Sequence, residues 1–88
     1  MTVNIIISGQ VQGVFFRKSA KAEAEKLGLV GWIKNNSDGS VETLAVGSKE
    51  KLEKFVTWCK AGPPFGEVEN IKVEWKDQNL EFDSFEIV

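Results

Sequence analysis

Hydrophobic positions along the chain change their spacing several times, and each change predicts an element. The run Val3 to Ser8 is rich in β-branched residues, too short for a helix and apolar enough for a central strand, with Gly9 closing it. From Phe16 the apolar and small positions recur at Ala20, Ala24 and Leu27, while Lys18, Lys21 and Glu25 fall elsewhere on the wheel. That spacing predicts an amphipathic helix, and Gly28 stands where a left-handed residue ends one. Leu29 to Asn35 and Val41 to Val46 read as two strands joined by the turn residues Asn36-Ser37-Asp38-Gly39. Ser48 then caps a second helix, with Leu52, Phe55, Val56 and Cys59 at i, i+3, i+4 and i+7, and Gly62-Pro63-Pro64 stops it. Alternation at Ile71, Val73 and Trp75 predicts a strand over Val68 to Trp75, and Phe85 to Val88 a short last one.

The order β-α-β-β-α-β predicts an α+β fold, the ferredoxin-like sandwich of two helices packed on one face of an antiparallel sheet. Eighty-eight residues make one domain, residues 1–88, with a thin core and little room for an internal cofactor. A functional site is therefore expected on a loop or a face. The fold itself hosts many activities, so function has to come from particular residues.

Composition removes several chemistries. There is no histidine, and Cys59 is the single cysteine, so an internal disulfide, a His/Cys zinc cluster, and Ser-His or Cys-His catalytic pairs are all excluded. The place of Cys59 in the apolar stripe of the second helix makes it a buried small hydrophobe rather than a nucleophile. The opening MTVNIIISGQ has no basic stretch followed by a long apolar one, and no segment is long and apolar enough to span a membrane. The expectation is a cytoplasmic protein with no membrane partner.

Net charge is −2 and the isoelectric point about 5.1, which argues against a nucleic-acid partner. The distribution matters more than the total. Residues 1–36 carry five basic and two acidic side chains, whereas residues 37–88 carry six and eleven. An anion site, if present, belongs to the early part.

In that part lies Gly9-Gln10-Val11-Gln12-Gly13-Val14-Phe15-Phe16-Arg17, a glycine-bracketed loop running into the first helix. A loop of amides that curls into a helix N-terminus is a ready cradle for a tetrahedral oxyanion. Gln10 and Gln12 are expected to offer their backbone amides, with Val11, Val14 and Phe15 shaping and drying the loop and Phe16 in the core. Arg17 is either a bidentate ligand of the same anion or a first-turn arginine facing water, and Lys18 is read as a solvated neighbour. No Gly-Lys-Ser/Thr or GxGxxG pattern accompanies the glycines, so a nucleotide loop is not indicated. Asn35, at the end of a strand, offers a donor and an acceptor to a bound water, or else simply opens the hairpin turn. Trp32 is read as half-buried packing and Lys34 as a surface charge.

These residues resemble the signature segments of the acylphosphatase family: the loop just quoted, then Gly31-Trp32-Ile33-Lys34-Asn35 followed by Gly39, Val41 and Gly47 at the family's spacing. The likeness runs over nearly the whole chain, through the Ser48 to Lys60 helix and the Gly62-Pro63-Pro64 exit to Phe85-Glu86-Ile87-Val88. Departures are mild: Ile33 stands where a smaller aliphatic is commoner, and Phe82 where many members have tyrosine. The resemblance implies hydrolysis of a small acyl phosphate to carboxylate and inorganic phosphate by a monomer with no metal and no cofactor. It further implies that Arg17 binds the phosphate together with the backbone amides of Gln10, Val11, Gln12, Gly13, Val14 and Phe15, and that Asn35 holds the attacking water. Two other functions fit the element order. One is a module that binds acyl or carbamoyl phosphate without turning it over. The other is a single-stranded RNA binder, against which stand the missing aromatic-basic signature and the negative charge.

Overall fold

In the computed structural model, which describes residues 1–88, the β-branched run near the start becomes the strand β1 (Thr2–Gln10). It is followed by α1 (Phe16–Lys26), β2 (Val30–Asn35), β3 (Val41–Val46), α2 (Lys49–Ala61), β4 (Glu67–Lys76) and β5 (Phe85–Ile87). The strands form one sheet in the order β4-β1-β3-β2-β5. β1 and β2 both run antiparallel to β3, which lies between them, and β4 runs antiparallel to β1. Two interleaved β-α-β units result, the split arrangement expected from the sequence.

The sheet is mixed rather than wholly antiparallel, because β5 pairs in parallel with β2, Ile87 standing opposite Ile33. The segment after β4 therefore carries the chain from one edge of the sheet to the other. Local periodicity cannot reveal such a pairing, since a strand's side-chain alternation is the same whichever way its neighbour runs.

Period-two alternation sends Val3, Ile5, Ile7, Ile33, Val41 and Ala45 to the helix-covered face, where they meet Phe16, Ala20 and Ala24 of α1 and Leu52, Phe55, Val56 and Cys59 of α2. Phe16 meets Trp58 edge to face with ring centroids 5.5 Å apart, and Phe55 meets Phe85 in the same way at 5.9 Å. Burial pushes the Cys59 thiol up to about 12, which keeps it protonated within this core. On the opposite face, half-buried Trp32 is covered by the Lys34 ammonium 5.5 Å from its ring centroid, so Lys34 is more than a free surface charge. No helix is long and apolar enough to cross a membrane.

Both helices end as their sequences suggest. The Ser48 hydroxyl accepts from the Lys51 amide at 3.3 Å, and the Gly28 amide donates to the Glu25 carbonyl at 3.0 Å after Leu27.

β1 does not stop at Gly9. The strand continues to Gln10 through an irregularity between Ser8 and Gly9, opposite Val68 and Asn70 of β4. Gly9 has φ 128°, and a Cβ there would run into the Glu67 carbonyl and come within 2.8 Å of the Glu69 amide. The bulge thus needs glycine twice over, for its backbone angle and for the close approach of β4.

The β2–β3 turn is closed by the Asn36 amide to the Ser40 carbonyl (2.8 Å), and by Asp38, whose carboxylate accepts from the Ser40 hydroxyl (2.7 Å) and amide (3.0 Å). Those two bonds, the hydroxyl's foremost, hold the exposed Asp38 carboxyl below its ordinary value of 3.8.

Two outcomes follow from this architecture. Replacing Gly9 with alanine strains the backbone and pushes β4 away, so urea unfolding should show a loss of at least about 2 kcal/mol. A carboxyl whose folded value is depressed contributes stability that is full above its unfolded value and disappears as pH falls through the folded one. The unfolding midpoint of wild type relative to Asp38→Asn should therefore decline as pH drops below 3.8, with little change between the two proteins' separation near neutrality.

Candidate functional site

Between β1 and α1 the backbone turns left-handed twice, at Gly13 (φ 74°) and at Phe15 (φ 63°). Phe15 is the N-cap of α1, with no side-chain cap bond, and the Ser19 amide to the Phe15 carbonyl (3.0 Å) is the helix's first closure. The amides of residues 11–15 donate to no backbone acceptor, and those of Phe16, Arg17 and Lys18 precede the helical ladder. Alternating right- and left-handed residues turn successive N–H groups toward one concavity, and the positive end of the helix dipole lies beneath it. The result is a backbone cradle suited to an anion.

The loop is held from outside. The Gln12 carboxamide donates to the Asn36 carbonyl at 2.8 Å and to the Ser40 carbonyl at 2.9 Å, tying the loop to the β2–β3 hairpin. Gln12 thus has a side-chain role in holding the loop, where the sequence led us to expect a backbone amide alone. Asn36 in turn reaches Ser40 Oγ at 3.0 Å and Glu42 Oε1 at 3.3 Å, and Asp38 holds Ser40, so the anchor sits in a connected network.

The same hairpin carries Asn35. Register pairs Asn35 with Val41 and Ile33 with Thr43, so alternation puts Asn35 on the face of the sheet that the helices cover, two residues beyond buried Ile33. Being last in β2, it emerges past the covered region and is exposed. There it meets a cavity of about 300 Å³ lined by Val11, Gly13, Phe15 and Arg17 from the loop and helix start. Phe16, Lys18 and Ile87 complete the lining. Arg17 and Asn35, eighteen positions apart in sequence, therefore share one concave site, with Arg17 half-buried.

Other expected residues fall differently. Gln10 ends β1 opposite Glu67 and, like Gln12 and Val14, does not line the cavity. Val11 is buried, and Val14 packs against the core from a half-buried position, which suits their shaping role. Phe15 does not dry the loop: its side chain is 70% exposed. Phe16 reaches both the core and the cavity, and exposed Lys18 borders the site instead of merely facing solvent. Ile87 was invisible to sequence reasoning as a site residue, because only the parallel pairing of β5 with β2 brings it beside Asn35.

Comparison with known proteins points one way. The acylphosphatase family model matches residues 3–87. An acylphosphatase of Pelotomaculum thermopropionicum is 48% identical over 84 residues, which cover 96% of this chain and 91% of the relative. The crystal structure of acylphosphatase from Bacillus subtilis superposes with a TM-score of 0.95 at 42% identity, over 99% of this chain and 97% of that one. An acylphosphatase from Coxiella burnetii does so with a TM-score of 0.92 at 37% identity, over 99% and 90% of the two chains. Likeness of this extent, in sequence and backbone alike, makes the chain a member of the acylphosphatase family, whose activity is the hydrolysis of acyl phosphates.

Proposed function

We propose that this chain hydrolyses small acyl phosphates in the cavity at the start of α1, with Arg17 and the loop amides binding the phosphoryl group and Asn35 positioning the attacking water. The observation that carries the assignment is that Arg17, Gly13 of the amide loop and Asn35 line one cavity although they come from separate segments.

The chemistry asks little of side chains. Attack of water on phosphorus forms a new P–O bond and breaks the bond to the acyl oxygen, whose electron pair leaves with the carboxylate. One water proton stays on the new hydroxyl and the other passes to a phosphoryl oxygen, giving carboxylate and dihydrogen phosphate. A carboxylate with an ordinary value near ~4 leaves without protonation, so no general acid is needed and the absence of histidine is no obstacle. What remains is to hold water in line and to stabilise charge on the equatorial oxygens. A guanidinium and fixed amides supply that stabilisation in planar and converging sets of donors, and they require no reorganisation as the reaction proceeds. Asn35 has both an acceptor and a donor for the water, and the network through Gln12 ties the hairpin that bears it to the loop.

In this reading residues 1–88 are one acylphosphatase-like domain that works as a monomer in the cytoplasm, without metal or cofactor and without nucleic-acid or membrane partners. The family match across residues 3–87, the net charge of −2 and the protonated, buried Cys59 support it.

Phosphate release from acetyl phosphate in excess chelator, beside a simple phosphomonoester, tests the assignment: the acyl phosphate should turn over and the ester should not. Loss of charge-assisted bonds worth about 1.5–3 kcal/mol, and more when bidentate, should lower kcat/KM of Arg17→Ala by at least ~100-fold and weaken inhibition by inorganic phosphate. Asn35→Ala should lose about 100-fold or more in kcat while inorganic phosphate still inhibits, because the water-holding group acts on the transition state and not on the bound anion. A folded Asn35→Ala protein that works at the wild-type rate would remove Asn35 from its role.

A further inference from the structure

Hydrolysis uses the phosphorus of an acyl phosphate and leaves a second electrophile, the carbonyl carbon, untouched. That carbon is joined to the phosphorus through a single oxygen, so a phosphoryl group held by the loop keeps it at a cavity of only about 300 Å³. The same cavity is lined by one nucleophilic amine. Of eleven lysines and arginines only Arg17 and Lys18 border it, no carboxylate does, and a guanidinium stays charged.

Lys18 has no other engagement in the fold. The ion pairs join Lys54 to Glu50 and Lys76 to Glu74, and Lys34 lies over the Trp32 ring. Lys18 belongs to neither set, is exposed, and follows Arg17 in the first turn of α1. Its amine rides on a flexible four-carbon stem that lets it sweep the border of so small a site. The hydrolytic route gives it no task, since the carboxylate leaves without a proton and the guanidinium and loop amides hold the charge.

Resting on the hydrolytic reading above, we propose that Lys18 is a site of self-acylation, at which the bound acyl phosphate passes its acyl group to the protein on a minority of encounters. Having released a proton to water, the Lys18 amine attacks the carbonyl carbon. A C–N bond forms, and the bond from that carbon to the bridging oxygen breaks with its electron pair going to phosphate. The surplus proton on nitrogen passes to the departing phosphate, so the products are an amide on Lys18 and inorganic phosphate. Water at phosphorus and amine at carbon thus compete for one substrate, and slowing the first exposes the second. Binding replaces chance collision by contact within one cavity, which singles out Lys18 among the lysines. The amide removes one of the two cations at the cavity.

The test incubates the protein with acetyl phosphate and follows acetylation of each lysine by peptide mass spectrometry, with thermal unfolding to verify the variants. In Asn35→Ala, which keeps the substrate intact for longer, Lys18 should be acetylated about tenfold faster than the average of the other lysines, with a smaller preference in wild type. Inorganic phosphate, competing for the loop, should protect Lys18 and no other lysine; this comparison needs no variant. Arg17→Ala should lose the preference, and acetic anhydride, which has no phosphoryl group, should show none. Uniform acetylation, a Lys18 preference that phosphate does not relieve, or the same preference with acetic anhydride would overturn the self-acylation site and leave hydrolysis standing. Failure of wild type to release phosphate from acetyl phosphate would overturn the hydrolytic assignment, whatever the labelling shows.

Discussion

The site depends on a turn that withholds its amides from the backbone. Between the bulge at Gly9 and the first closure of α1 at Ser19, the chain satisfies no N–H of residues 11–15 with a backbone carbonyl. Such a turn has little of its own to hold its shape, since the ladder bonds that fix strands and helices are missing. Its shape comes from both ends and one side: the β1–β4 bulge, Phe16 locked into the core at the start of α1, and Gln12 bonded to two carbonyls of the hairpin. Val11, buried beneath, closes the fourth side.

That arrangement also explains how an acidic protein can present a cavity suited to an anion. The overall charge of −2 arises from residues 37–88, whereas the fold brings Arg17, Lys18 and the positive end of α1 to one cavity with only a neutral amide, Asn35, contributed by the hairpin. Charges on a small domain act over about 10 Å at moderate salt, so local placement outweighs the total. The hairpin's own acids, Asp38 and Glu42, are engaged with Ser40, Asn36 and Asn4.

Much of this was legible in the sequence, and the parts that were not share a cause. The elements could be read because hydrophobic spacing records which face each segment buries; the glycine loop could be read as a candidate anion cradle, while local chemistry left Arg17 and Asn35 open and only the resemblance to a family gave them roles. Glycine weakens strands in general, so Gly9 reads locally as the end of β1; in the fold it permits the bulge against Glu67 that carries the strand on to Gln10. The side-chain role of Gln12 and the position of Ile87 depend on which strands become neighbours, a long-range fact with no local trace. The outward turn of Phe15 leaves no local trace for a related reason: a phenylalanine in an apolar run reads as packing until its backbone angle is known.

The openness of the site is a consequence of the same energetics. A buried amide without an acceptor costs about 1–3 kcal/mol, so several of them enclosed together would consume much of the roughly 5–15 kcal/mol by which a domain is stable. A domain of 88 residues, with its core shared between one sheet face and two helices, cannot absorb that, and so the loop has to remain near the surface where water can reach its N–H groups. An open site in turn gives up the strong field and raised carboxylate values that burial provides to enzymes using acids and bases. It suits a bond whose leaving group departs as a stable anion without a proton, and whose breakage needs position and fixed dipoles more than a tuned titrating group. The mixed anhydride of a carboxylic acid and phosphate is such a bond, so the thin core, the exposed cradle and the histidine-free composition are compatible with one another for a single reason.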